Sequence, residues 1–90
     1  MSYIGRIAVK TMEDMAGNAI NQKSNPWGNI ERVKYLKFAL SALDAIKSTA
    51  ETELLKESAN IGFDELSSAL RKIGDAHKNL TEKIRLVYSK

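Results

Sequence analysis

Apolar residues recur along this chain at helical intervals, and polar residues fill the spaces between them. The clearest run begins at Phe63 and continues through Leu66, Leu70, Ile73, His77, Leu80, Ile84 and Val87 in alternating steps of three and four. That spacing is the a/d seam of a helix that packs along its whole length against another, so one helix is expected over about 63–88. Asp64 and Glu65 fall in its first turn, and Lys83, Arg85 and Lys90 lie near its end. Both placements suit the helix dipole. Ala69 and Ala76 flank the seam, where small side chains let a neighbouring helix come close.

Upstream, Ile30, Val33, Leu36, Leu40, Leu43, Ala50 and Leu54 mark a second stripe, interrupted at Lys47 beside Ile46. It predicts a helix over about 26–60. Asn25 is placed to cap it, and Pro26 suits the first helical position, where a missing N–H costs nothing. Gly62 is expected to supply a left-handed residue that closes this helix. A first helix over about 3–21 carries Ile4, Ala8, Met12, Met15 and Ala19, widened by Ile7, Ala16 and Ile20. Gly5 and Gly17 each weaken it by ~1 kcal/mol relative to alanine. The stretch from Tyr3 to Val9 also suits a strand, but no second convincing strand exists to pair with it, so helix is preferred.

Three helices joined by short links favour antiparallel neighbours. The expected architecture is all-α: a three-helix bundle, or a long antiparallel helical hairpin with a packed N-terminal helix, in a single domain spanning 1–90. The hairpin would be roughly 40 Å long. Met12 and Met15 fill an irregular core more readily than they make an adaptable partner surface. Leu55, Leu86, Ile61 and Val9 lie off the main stripes and suggest a second sticky face. A chain of 90 residues buries only about two-thirds of its unfolded surface. A homo-oligomer that covers the leftover face is therefore expected.

Composition narrows the chemistry. There is no cysteine and one histidine, so a disulfide scaffold is excluded and neither a metal site nor a cofactor is expected. No apolar run approaches the ~18 residues of a membrane span, and no apolar segment near Met1 reads as a secretion signal. A cytoplasmic location is the expectation. Asn79-Leu80-Thr81 matches a glycosylation sequon within a predicted helix and is taken as a chance match. No phosphate-binding glycine loop, metal-binding helix motif or nucleophile elbow occurs. With little room for a pocket of positioned titratable groups, the chain is not expected to be an enzyme.

Two constellations remain. His77 stands where the seam calls for Leu or Ile. It reads either as a register-setting or pH-sensitive contact, or as an ordinary, partly exposed seam histidine bonded to a neighbour. Folding the hairpin about Gly62 sets residue 37 opposite residues near 87. Glu51, Glu53 and Glu57 then fall beside Arg71 and Lys72. At the other end Arg32, Lys34 and Lys37 gather near Lys83, Arg85 and Lys90, with Trp27, Tyr35, Phe38 and Tyr88 at the same pole. Basic residues interleaved with aromatics suit phosphates and stacked bases. They equally suit a solvated helix end, and the net charge of +3 is too small to decide.

The function expected from the sequence is that of a non-enzymatic helical interaction or regulatory protein. It self-associates and acts by binding another macromolecule, as an inhibitor of phage type or an assembly adaptor would. The alternative is a binding module for a nucleotide or nucleic acid at the basic-aromatic pole, built from Trp27, Arg32, Lys34, Tyr35, Lys37, Lys83, Arg85 and Tyr88.

Overall fold

A computed structural model describes residues 3–23, 26 and 28–89. Three helices make up the fold: α1 (Tyr3–Gln22), α2 (Asn29–Lys56) and α3 (Phe63–Tyr88). All three pack against one another, giving an all-α three-helix bundle. The Tyr3–Val9 stretch is helical throughout. A helix of α2's 28 residues is ~42 Å long, and the molecule measures 49 × 17 × 15 Å. It is a rod about one helix pair thick.

Two cross-links between helices set their directions. The Tyr88 hydroxyl near the end of α3 donates to the Ala19 carbonyl near the end of α1 (2.7 Å), so α1 and α3 run the same way. His77 Nε2 lies 2.6 Å from Asp44 Oδ1, and Tyr88 lies close to Tyr35 and Arg32. Positions on α3 therefore climb as those on α2 fall, and the two helices are antiparallel.

The core is thin because alanine supplies much of it. Met12, Leu43, Leu54, Ile73 and Ile84 are the largest fully enclosed side chains, and Ala8, Ala16, Ala19, Ala39, Ala50 and Ala69 fill the levels between them. Small residues at these contacts let the axes approach toward the near end of the usual 8–10 Å range. Met12 is completely buried and Met15 packs against the core, so both methionines serve packing.

Helix boundaries differ from expectation mainly around glycines. α2 begins at Asn29, and Pro26 lies outside it; Asn25, the expected cap, lies outside the described residues. Starting after Gly28 keeps a poor helix former out of the first turn. Gly28 is extended (φ −68°, ψ 167°), and its carbonyl accepts from the Arg32 N–H (3.1 Å). At the other end α2 stops at Lys56, and the chain leaves through tight turns, with the Ser58 N–H on the Leu55 carbonyl and the Asn60 N–H on the Glu57 carbonyl. These short-range bonds satisfy terminal carbonyls without a left-handed residue. Gly62 is extended as well (φ −69°, ψ 157°) and caps the start of α3, and no described residue has positive φ.

The stripes hold in their middles and fail at their ends. On α3, Leu66, Leu70, Ile73, Leu80 and Ile84 join the core, whereas Phe63 is 80% exposed. Tyr3 at the start of α1 shares a groove with Glu53. The described part of α1 thus stops short of the α2–α3 turn and leaves Phe63 uncovered. On α2, Ile30 and Val33 are exposed, and the core side belongs to Leu36, Ala39, Leu40 and Leu43. Of the off-stripe residues, Val9 and Ile61 pack against the core, while Leu55 and Leu86 remain exposed.

Candidate interaction surface

The basic pole exists as a level of the rod but not as one patch. Arg32, Lys34 and Lys37 lie in the first turns of α2, and Lys83 and Arg85 in the last turns of α3, at the same end. Residues two apart on a helix point roughly 160° apart, so Lys83 and Arg85 occupy opposite flanks of α3. Lys34 and Lys37, three apart, share the outer face of α2. Both are exposed, and neither pairs with an acid among the described residues. Arg32 is half-buried close to Tyr88, with its Nε enclosed and without an acceptor. Trp27 and Lys90 lie outside the described residues.

The aromatic members divide in the same way. Tyr35 and Phe38 form a tilted pair with ring centroids 6.0 Å apart, of which Phe38 is exposed and Tyr35 packs against the core. Tyr88 belongs to the interior rather than to a face beside the seam. Its ring packs on the core and its hydroxyl is engaged by α1. Burial pushes the Tyr88 phenol above its ordinary value of 10.0; neighbouring Tyr35 adds to the rise, and Arg32 opposes it.

At the middle of the rod, the His77 side chain is 21% exposed and its partner Asp44 is 71% exposed. The ring sits at the edge of the seam, where one nitrogen reaches across to α2 while the rest packs. The contact is an ion pair when the ring is protonated and a neutral-to-charged hydrogen bond otherwise. Nearer the α2–α3 turn, the expected cross-helix pairing of Glu51, Glu53 and Glu57 with Arg71 and Lys72 does not form. Glu51 pairs with Lys47 and Glu53 with Lys56, both within α2. Neighbours at i+3 and i+4 on one helix need no long side chain to be held across a gap.

One apolar concavity is not anticipated by the stripe analysis. Tyr3, Ile4, Ile7 and Thr11 of α1 face Ala45, Ile46, Thr49 and Glu53 of α2 across an open groove of about 380 Å³. It forms because Ala45 and Thr49 put little volume on that flank of α2. The sequence signal was present in Tyr3 and Ile7, bulky apolar residues at the margin of the α1 stripe, opposite two small ones. Among the described residues, no three His, Asp or Glu side chains gather where they could hold a metal ion. Among the described residues no helix is long and apolar enough to cross a membrane.

Apolar side chains dominate what the surface offers a partner. Tyr3, Ile7, Phe63 and Leu55 lie toward one end of the rod, and Ile30, Val33, Phe38 and Leu86 toward the other, each between 46% and 80% exposed. Comparison of the chain with protein-family models, with curated proteins and with solved structures finds no match.

Proposed function

We propose that this chain is a non-enzymatic helical interaction protein that self-associates and acts by binding another macromolecule through apolar surface. The observation that carries the reading is the groove between α1 and α2, roofless and walled by Tyr3, Ile4, Ile7 and Ile46. Such clefts between helices accept an amphipathic helix or an extended segment presenting apolar anchors. The reading also explains why a bundle with so small a core leaves eight large apolar side chains exposed among the described residues. Exposed apolar side chains gathered beside a groove, as Tyr3 and Ile7 are, mark contact sites in soluble proteins. The divided basic pole gives the phosphate-ligand alternative no comparable site.

Two measurements test the reading. Light scattering over a concentration series should show assembly above the monomer mass. Native mass spectrometry of the protein taken from its source cells should show a bound macromolecule in fixed ratio. Thr49→Arg, which fills the groove with a charge at an exposed helical position, should remove that partner while the far-ultraviolet circular dichroism stays unchanged. A strictly monomeric, partner-free protein overturns the reading.

A further inference from the structure

The His77–Asp44 bond marks the seam where α2 and α3 meet on the side of the rod away from α1. Asp44 is 71% exposed there, and α1, which packs on both helices, covers the opposite side. Helical rotation fixes what surrounds the bond. On α2, Val33 and Lys37 lie within roughly 20° of Asp44, Ile30 within roughly 40° and Lys34 within roughly 80°. On α3, Arg85 and Lys78 lie roughly 80–100° round from His77 on its exposed side, whereas the buried Ala69 and the half-buried Ala76 and Leu80 lie the other way. With Asp44 level with His77 and the helices antiparallel, Lys37 comes level with Arg85. One face, from the middle of the rod to the end where α2 begins, therefore carries Lys34, Lys37, Lys78 and Arg85 together with Ile30 and Val33. All six are exposed, and none of the four cations pairs with an acid among the described residues. Of the nearby acids, Asp44 is held by His77, and Glu31 and Glu82 each lie roughly 140° round their helices from the bonded pair.

We propose that this face rests on an anionic lipid surface, independently of the groove between α1 and α2. Lysine and arginine keep their charged heads in the polar layer while their stems lie along apolar surface. Ile30 and Val33 then enter the boundary between headgroups and acyl chains, as the apolar side of an interfacial helix does. Charge complementarity selects the partner, because cations close to an anionic leaflet are each attracted to it. Two features favour lipid over other anionic partners. The exposed apolar side chains here are aliphatic, which suits hydrocarbon, whereas nucleic-acid sites stack bases on aromatic rings. Tyr35 and Tyr88 instead pack on the core, and Phe38 lies roughly 120° round α2 from Asp44. The cations are also spread over two neighbouring helices, which a broad planar surface meets together. With two aliphatic anchors and no lipid chain to hold it, the contact is reversible.

Vesicle flotation tests the proposal. In low salt the chain should float with vesicles of phosphatidylcholine and phosphatidylserine and stay behind with phosphatidylcholine alone. Lys37→Glu combined with Lys78→Glu should weaken the binding at least about tenfold, with unchanged circular dichroism. Lys72→Glu combined with Lys83→Glu makes the same change in net charge on the other flank of α3 and should weaken it far less. The chain has no cysteine, so one introduced thiol carries one environment-sensitive fluorophore. A label on Val33→Cys should shift to the blue with phosphatidylserine vesicles, and a label on Asn18→Cys, exposed on α1, should not. No binding, equal binding to phosphatidylcholine alone, equal losses from the two charge reversals, or an unshifted label at Val33 each overturns the proposal. Tighter binding to single-stranded oligonucleotides than to the vesicles assigns the face to nucleic acid and overturns it as well. None of these results touches self-association or the groove, which light scattering and Thr49→Arg test separately.

Discussion

α3 and α2 are nearly equal in length, yet they distribute their apolar residues in different ways. α3 keeps most of them on one side: its inward face supplies Leu66, Leu70, Ile73, Leu80 and Ile84, and only Phe63 and Leu86, near its two ends, are large apolar residues left exposed among its described residues. α2 is apolar inside, where Leu43 and Leu54 are fully enclosed, and apolar again outside at Ile30, Val33, Phe38 and Leu55. A helix apolar on every side is usually a buried one. The difference teaches that most of α3's apolar residues serve the fold, while α2 serves the fold on one face and carries apolar side chains into solvent on the other.

The sharpest way to break this comparison is to truncate both faces. Ile73→Ala removes a fully enclosed α3 seam residue and should cost about 2–5 kcal/mol by urea denaturation. Val33→Ala on the outer face of α2 should stay within about 0.5 kcal/mol under conditions where the protein is monomeric. Equal losses at the two positions would mean that α2's outer face is part of the folding core.

A second test concerns the one polar interruption of the α3 seam. His77→Leu restores the apolar pattern and gives up a bond to the exposed Asp44. Replacing a partly buried polar pair by apolar packing is often neutral or stabilising, so thermal stability should hold or rise by about 1 kcal/mol. A loss beyond that would show that the bond to α2 outweighs the seam.

Tyr88 tests where α3 meets α1. Tyr88→Phe leaves the Ala19 carbonyl without its donor and should cost about 1 kcal/mol at neutral pH. The phenol ionises less readily in the folded chain than in the unfolded one. Its contribution is therefore complete below pH 10.0 and is lost as pH rises through the elevated folded value. Stability of the wild type, followed by circular dichroism on alkaline titration, should fall toward that of the phenylalanine variant.

The smallest effect compares the starts of the two helices. A side chain at Gly62 would meet nothing within 4 Å, whereas one at Gly28 would come 2.8 Å from Glu31 Oε2. Gly62→Ser should raise the urea midpoint by the equivalent of a few tenths of a kcal/mol. Gly28→Ser should gain less, because the Glu31 carboxylate must first move aside.

Periodicity made the middle of the fold legible. The cores of all three helices, their order and their antiparallel hairpin follow from spacing, because burial requires apolar residues on one face and only a helix aligns them at these intervals. What periodicity does not carry is where a neighbour ends. Phe63, Ile30 and Val33 satisfy their stripes and are still exposed: the described part of α1 stops short of Phe63, and Ile30 and Val33 turn away from the side of α2 that carries Ala39 and Leu43. The glycines were misread for a related reason: glycine suits both an extended cap and a left-handed closure, and the choice depends on whether tight turns have already satisfied the carbonyls of α2. For the candidate surface, the basic residues were legible by position along the rod and not by angle around it. Counting turns placed Lys83 and Arg85 together, and counting degrees separates them. The α1–α2 groove needed two distant segments, Tyr3–Thr11 and Ala45–Glu53, to be brought side by side, which no local pattern encodes.

The alanines at the helix contacts give this bundle an inverted sensitivity. In a core of large side chains, damage comes from taking atoms away. Here the levels at Ala39, Ala50 and Ala69 are already at their minimum, so damage comes from adding them. One extra methyl at such a level has no void to occupy and must act as a wedge. A wedge in a rod whose helices are also bridged from His77 to Asp44 and from Tyr88 to Ala19 becomes a lever on both bonds. Substitutions that look conservative along the chain would then turn the outer face of α2 relative to the helices behind it.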